Sequence, residues 1–312
     1  MIAKRFCHVP LFLAMLLAFP TGSFGGQVVT PDIRDQARKL VREEKALKTE
    51  AAQNTLAVLY FRNLSGNEDL NPLRKGLPLM LITDLSQVEG LQVVERVMLQ
   101  ALLEELGLGA SGIVEPGTAP RVGRLLGAGR LVGGDIGGVE SKLRLQSETT
   151  DVPTEAPMGV STADGPLDEL FRLEKTLLFD IIRILKIEIG PEVESKLRKP
   201  CSTNRKALMS LFEGVDAGDK KDYQGAASLY EKALKEDPGI CIAGEALREL
   251  HDLGLIAAKK RSADLLRSLR NDTSLTNQLT PKEEMRDVKA PLPGTSTDTD
   301  IQLNFPAAPK DR

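Results

Sequence analysis

Short apolar runs along the chain alternate with stretches whose apolar residues recur every three or four positions. Residues 55–61 (TLAVLYF) are a β-rich apolar run closed by Asn63, Ser65, Gly66 and Asn67, the pattern of a buried strand entering a loop. Residues 73–85 then repeat Leu77, Met80, Leu81 and Leu85 at helical spacing. Residues 91–96 (LQVVER) read as a second strand. In residues 98–106, Leu99, Leu102, Leu103 and Leu106 share one helical face. A short helix over 121–126, a Gly-studded strand over 130–139 and a polar hairpin over 140–161, turning near Asp151 and Pro153, follow. Gly165 and Pro166 open a long helix, because proline is accepted in a first turn. Its face of Leu170, Leu173, Leu177, Leu178, Ile181, Ile182 and Leu185 needs a sheet to cover.

The fold class expected is α/β, a mixed sheet with packed helices in two or three layers over residues 54–190. Residues 27–53 form a charged helix or linker, exposed or docked, because Leu40, Val41 and Leu47 are too few for a broad apolar stripe. Residues 191–270 read as helices only. Gly214 lies on one helix, Ala226, Tyr230 and Ala233 on the next, and Pro238 ends the unit, the spacing of a TPR-like (tetratricopeptide) hairpin. Small residues let two helices approach, the aromatic fills the gap, and proline stops the second helix. Residues 240–253 and 255–269 form a degenerate second unit, and so short an array must dock on the sheet domain or on another chain. The other reading is a plain helical hairpin without a partner groove. Residues 271–312, with Pro281, Pro291, Pro293, Pro306 and Pro309 around a polar run, bury too little to order and read as a disordered tail.

Lys4 and Arg5, an apolar run over residues 9–19, and then Thr21, Gly22, Ser23, Gly25 and Gly26 give the three-part layout of an export signal over residues 1–26. The run falls short of the roughly 20 residues a membrane-crossing helix needs, so the mature chain is expected to begin near Gly26 or Gln27. Cys7 precedes the run and is not the residue that lipoprotein processing would acylate. Cys201 and Cys241 would then meet an oxidising compartment, where a bridge persists, although spacing alone leaves open whether one forms.

Composition narrows the chemistry. Lys and Arg total 41 against 44 Asp and Glu, so no basic excess exists to neutralise nucleic acid or an anionic bilayer. Two His and three Cys are too sparse for a zinc site of usual spacing. Gly107-Leu-Gly109-Ala-Ser-Gly112 matches a dinucleotide pattern in letters, yet a helix and not a strand precedes it, so the glycines read as a helix stop. The glycines between 127 and 138 lack a following Gly-Lys-Ser/Thr and read as close strand packing. Glu104 and Glu105 point apart on a helix, and neither mature cysteine has a neighbouring His. No catalytic residue, cofactor or metal is therefore expected. Asn63-Leu64-Ser65 is a formal glycosylation acceptor.

Residues 56–66 (LAVLYFRNLSG) resemble the first strand and loop of domains related to the TolB N-terminal domain and the CsgG family of curli production assembly/transport components. Glu95-Arg96 with Leu99, Leu102, Leu103 and Glu104, and residues 127–134 (GAGRLVGG), are similar to further CsgG segments. The resemblance implies a Gram-negative envelope protein that oligomerises or docks near the outer membrane. Two features depart from it. The chain has no acylatable Cys after its signal, and residues 139–150 and 151–162 do not alternate apolar outward over the 9 to 11 residues of a membrane strand. The expectation is a non-catalytic periplasmic scaffold that binds envelope proteins through its TPR-like helices. It would have at most peripheral outer-membrane association and self-association as an option. The alternative is a component of an outer-membrane curli-type secretion channel.

Overall fold

The computed structural model describes residues 26–46, 52–108, 114–115 and 117–257. Helix α1 (Pro31–Arg42) is capped by Thr30 and leads to strands β1 (Ala52–Val58) and β2 (Arg62–Asn63), helix α2 (Leu73–Leu85), β3 (Gln92–Val93), α3 (Arg96–Glu105) and α4 (Ala119–Leu125). The long strands β4 (Ala128–Val139), β5 (Lys142–Asp151) and β6 (Pro157–Gly165) follow. Helices α5 (Leu170–Ile184), α6 (Pro191–Leu197), α7 (Arg205–Asp219), α8 (Tyr223–Glu236) and α9 (Ala243–Asp252) complete the described chain. The sheet runs β3-β1-β4-β5-β6, parallel among β3, β1 and β4 and antiparallel from β4 to β6, with β2 extending the β1 line beside β4. This is the mixed α/β sheet that the hydrophobic pattern predicts.

Alternation in β1 divides the core. Leu56 and Val58 face α2 and α5, whereas Ala57 and Leu59 face α1, α3 and α4. The β1–β4 half is therefore covered on both sides. In β5, Leu143, Leu145, Ser147 and Thr149 turn inward under α5, while Lys142, Arg144, Gln146 and Glu148 are exposed. Among the described residues that half has helices on one side only, and exposed Met158 and Val160 lie on its edge strand.

Three local departures from the pattern have physical causes. Residues 55–61 are not one strand, because the ladder stops at Val58 and resumes at Arg62. In between, Phe61 N–H donates to the Arg74 carbonyl at 2.9 Å. Pro78 has no N–H for that carbonyl, so a proline inside α2 frees the acceptor that ties the break down. Residues 91–96 form a strand only at Gln92–Val93, and Arg96 instead opens α3. Residues 240–253 become helical only from Ala243, because Ile242 lies at φ 65°, a left-handed conformation that a β-branched residue rarely adopts.

Two glycine readings have structural content. Gly107 sits at φ 75° after α3, and Leu108 N–H reaches back to Leu103 O at 3.0 Å, a helix stop of the Schellman type. A methyl on Gly134 would lie 2.0 Å from Phe61 Cε1 and 2.3 Å from the Gln146 carbonyl oxygen, so β4 needs glycine where the Phe61 ring crosses it. Gly109 and Gly112 lie outside the described residues, as do the export signal before Gly26, the helix expected beyond residue 257 and the tail over 271–312. No described helix is long and apolar enough to cross a membrane.

The core under α2 and α5 continues without a break into α7, α8 and α9. Closest approach is at α2–α7, where a methyl on Gly76 would sit 2.1 Å from Phe212 Cγ. Gly76→Ala is expected to push the Phe212 ring out of its seat and cost about 1–3 kcal/mol, read as a lower urea midpoint. Gly117→Ala, whose methyl would meet nothing within 4 Å, should leave the midpoint within about 0.5 kcal/mol of the parent.

Candidate functional site: a buried ionic clamp and a helical hairpin

The hairpin of α7 and α8 is built by caps and small residues. Asn204 Oδ1 accepts from Lys206 N at 2.9 Å and Ala207 N at 3.2 Å, and Asp222 Oδ1 accepts from Gly225 N at 2.9 Å. Tyr230 is buried with its ring against Gly214, where a methyl would lie 2.5 Å from Cε1. Ala226 and Ala233 are buried on the same helix. Of the five hairpin positions singled out in the sequence, Gly214, Ala226, Tyr230 and Ala233 are thus consumed in packing, and Pro238 is exposed just past α8. Cys201 and Cys241 are bonded, with Cα atoms 5.3 Å apart. Beside them, Ser202 Oγ donates to Asp237 Oδ2 at 2.5 Å and Asn204 Nδ2 to Glu236 O at 3.0 Å, so the open end of the hairpin is stapled.

The other end of α7 carries the charge chemistry. Asp219, with a side chain 1% exposed, accepts from Lys75 Nζ at 2.8 Å and from Arg96 Nη1 at 2.9 Å. Lys75 also pairs with Asp216 at 3.0 Å, so two cations meet two anions. Arg96 Nη1 donates to Tyr60 Oη at 3.1 Å, and Tyr60 Oη donates in turn to Gln100 Oε1 at 3.0 Å. Gln100 Nε2 continues to Glu104, which pairs with Arg34 of α1 at 3.6 Å. Arg96 also donates through Nε to Gln27 Oε1 at 2.9 Å and through Nη2 to the Gln27 carbonyl at 2.6 Å. Elements from both sides of the sheet thus converge on one carboxylate. Burial pushes the Arg96 guanidinium down, but the Asp219 charge outweighs it and holds the group above its usual value. Burial pushes the Tyr60 hydroxyl up, so it stays a neutral donor.

Lys75 and Asp219 carry no sequence motif, and Arg96 enters the sequence reading only through the Glu95-Arg96 segment that resembles the CsgG family, with no pairing implied. The available signal is that Lys75 sits in a helix buried on nearly every side and that Arg96 opens a helix whose Val97, Leu99, Leu102 and Leu103 are buried. A charge in such a place is buried only when paired. Replacing the one anion they share should expose the arrangement: Asp219→Asn leaves two buried cations short of charge and is expected to cost about 3–5 kcal/mol in urea unfolding.

A second cluster lies between α2 and α5. Glu174 is fully buried, its Oε2 3.4 Å from Lys175 Nζ, which is itself 2.5 Å from Asp84 Oδ2. Burial, reinforced by the Asp84 charge and offset in part by Lys175, holds the Glu174 carboxyl well above its ordinary 4.5. The folded protein therefore keeps a proton that the unfolded chain gives up. Stability should be full below the unfolded carboxyl value and fall as pH rises towards the folded one, by about 1.4 kcal/mol per pH unit. Glu174→Gln, which mimics the neutral acid, is expected to flatten that slope in melting curves taken from pH 5 upward.

Two surface features accompany the clamp. A cleft of about 220 Å³ opens beside β4, where Arg62 holds Asp135 through bonds of 2.6 and 2.9 Å. A wider groove runs where α7 and α8 meet the body, lined by Glu68, Asp69, Glu140, Lys206, Glu213 and Lys232. Asn63 of the glycosylation pattern is engaged internally, donating to Asn67 O at 2.8 Å and to Asn71 Oδ1 at 2.9 Å.

Residues 38–163 match the model of the family described as curli production assembly/transport component CsgG. The putative adenylate cyclase 3 of Rhizobium meliloti (strain 1021) is 22% identical over 202 residues, covering 63% of this chain and 32% of that protein. The chain thus spans about a third of that relative. Among solved structures, the LpoB C-terminal domain from Salmonella enterica aligns at 17% identity, TM-score 0.31, over 43% of this chain and 98% of that one. Lipoprotein GNA1162 from Neisseria meningitidis aligns at 12% identity, TM-score 0.32, over 44% and 99%. The matched stretch runs from within α1 almost to the end of the edge strand β6, so the likeness to the CsgG family is carried by the sheet body.

Proposed function

We propose that the protein is a non-catalytic scaffold of the Gram-negative cell envelope, exported to the periplasm, which binds partner proteins in the groove between its helical hairpin and its CsgG-like body. One observation carries this reading: a CsgG-like sheet body is joined through a buried clamp to a hairpin whose packing residues face inward, leaving the groove as the surface the two parts make together. The groove has charges of both signs, with Glu68, Asp69, Glu140 and Glu213 near Lys206 and Lys232. Such a lining suits a polar protein surface more than an apolar ligand. The adenylate cyclase name describes a relative of which two-thirds lies outside the match, and it supplies no activity here.

The family's description as a transport component supports a second reading, a subunit of an outer-membrane curli-type channel. Against it stands the hairpin of β5 and β6, whose Leu143, Leu145 and Ala163 are committed to the core beneath α5. Self-association remains compatible with either reading.

A photoreactive residue in place of exposed Lys206 tests the proposal in intact cells of the exporting host. Crosslinks to envelope proteins are expected from this position, weakened at least several-fold by Glu213→Lys, and not from a control position at Arg144. Recovery as a cytoplasmic monomer without groove crosslinks would overturn it. Ring-shaped oligomers conducting ions across a planar bilayer would move the assignment to the channel.

A further inference from the structure

The first described residues end on a carboxylate. Glu249, in α9, accepts from Gln27 N at 2.6 Å and from Val28 N at 3.2 Å. Gly26 lies over the same group, since a methyl on it would fall 2.4 Å from Glu249 Oε1. Three consecutive residues therefore wrap one carboxylate, in the manner of sites that capture a chain terminus. Among the described residues, no Lys, Arg or His forms an ion pair with Glu249, so its formal charge meets only two neutral amide donors. The segment is also held from the other side, because Arg96 takes both the Gln27 carbonyl and its side-chain oxygen. Val28 and Val29 are buried immediately after it.

The sequence brings a cation to this point. In the export pattern, small residues stand one and three positions before the cut. Ser23 and Gly25 meet that rule for the bond between Gly25 and Gly26, whereas the bond after Gly26 would place Phe24 at the third position. We propose that the exported chain is cut between Gly25 and Gly26 and that the new Gly26 α-ammonium seats on Glu249. Hydrolysis of that peptide bond by a leader-removing protease adds water across it: Gly25 leaves as a carboxylate, and the Gly26 nitrogen takes up protons to become an ammonium. Removal of the leader then turns a neutral contact into an ion pair, and the body–hairpin junction tightens only in the processed form. The inference rests on the export part of the proposed function and not on the groove.

The test uses the full precursor, expressed in an exporting bacterium and recovered from the periplasm. N-terminal sequencing and intact mass should give Gly26 as the first residue. A different first residue, or an uncut chain, would overturn the proposal. Selective acetylation of the α-amine of the processed protein should then lower its Tm by about 2–4 °C, the shift expected for one such contact in a domain of this size. The same treatment should move the Tm of Glu249→Gln by less than half as much. An unchanged Tm in the parent, or an equal drop in both, would also overturn the proposal. The parent comparison decides the matter alone if the variant does not fold. Groove crosslinking reads out separately, so failure there leaves the processing result standing.

Discussion

A single carboxylate at the end of α7 sets the relation between the two parts of the molecule. Asp219 stands at a helix C-terminus and Arg96 at a helix N-terminus, the ends where the macrodipole disfavours each charge. Neither residue serves its own helix. Each is held by the other, and Lys75 with Asp216 makes the arrangement neutral overall. A buried network of this kind is a weak source of net stability, because desolvation offsets most of the attraction. Its effect is on register: a slip of α7 along α2 would strand two cations in the core. Gly76 against Phe212 limits the same slide by shape.

The sheet explains why the hairpin sits where it does. Its parallel half is sealed by α1, α3 and α4 on one side and by α2 on the other, so apolar surface there is spent. The antiparallel half, with α5 beneath it, has an exposed face of polar residues on β5. The helices after α5 add to the core on the side of α2 and α5, which is the side that still offers apolar surface. Close approach at the sheet rests on small details, with Pro78 releasing a carbonyl for Phe61 and Gly134 leaving room for its ring.

Much of this was legible where one physical rule governs a whole segment. The stripe from Leu170 onward and the run over 73–85 form helices because apolar spacing and burial agree there, although Gly165 ends β6 and does not open the helix, which starts at Leu170 after a short 3-10 turn. The pairing of Gly214 with Tyr230 follows from the small-and-aromatic spacing of a hairpin. Legibility failed where the deciding partner lies far away in the chain. Arg96 looks like the end of a strand until Asp219 is placed beside it. Strand β5 alternates strictly between inside and outside, yet its inward set includes Ser147 and Thr149, so hydropathy alone shows only two leucines in register. The sequence also says that so short a helical array must dock, on the sheet domain or on another chain, but not which of the two, because the residues of the shared core lie far apart in the chain.

The order of causes can be worked out from chain separation. Gln27 and Glu249 are 222 residues apart, and closing so long a loop from an open chain would cost about 5 kcal/mol in entropy before any constant term. One or two hydrogen bonds to a carboxylate return about 1.5–6 kcal/mol, which leaves no surplus once the constant term is added. The contact can therefore form only after other contacts have brought its ends together. Those contacts are the strand pairings that fix β1 and β4, and the docking of α7 through Asp219, which carries α8 and α9 into place. Arg96 belongs to both steps, since it binds Asp219 through Nη1 and Gln27 through Nε and Nη2. The clamp is thus the condition for anchoring the first residues, and the anchor reports that the clamp has closed.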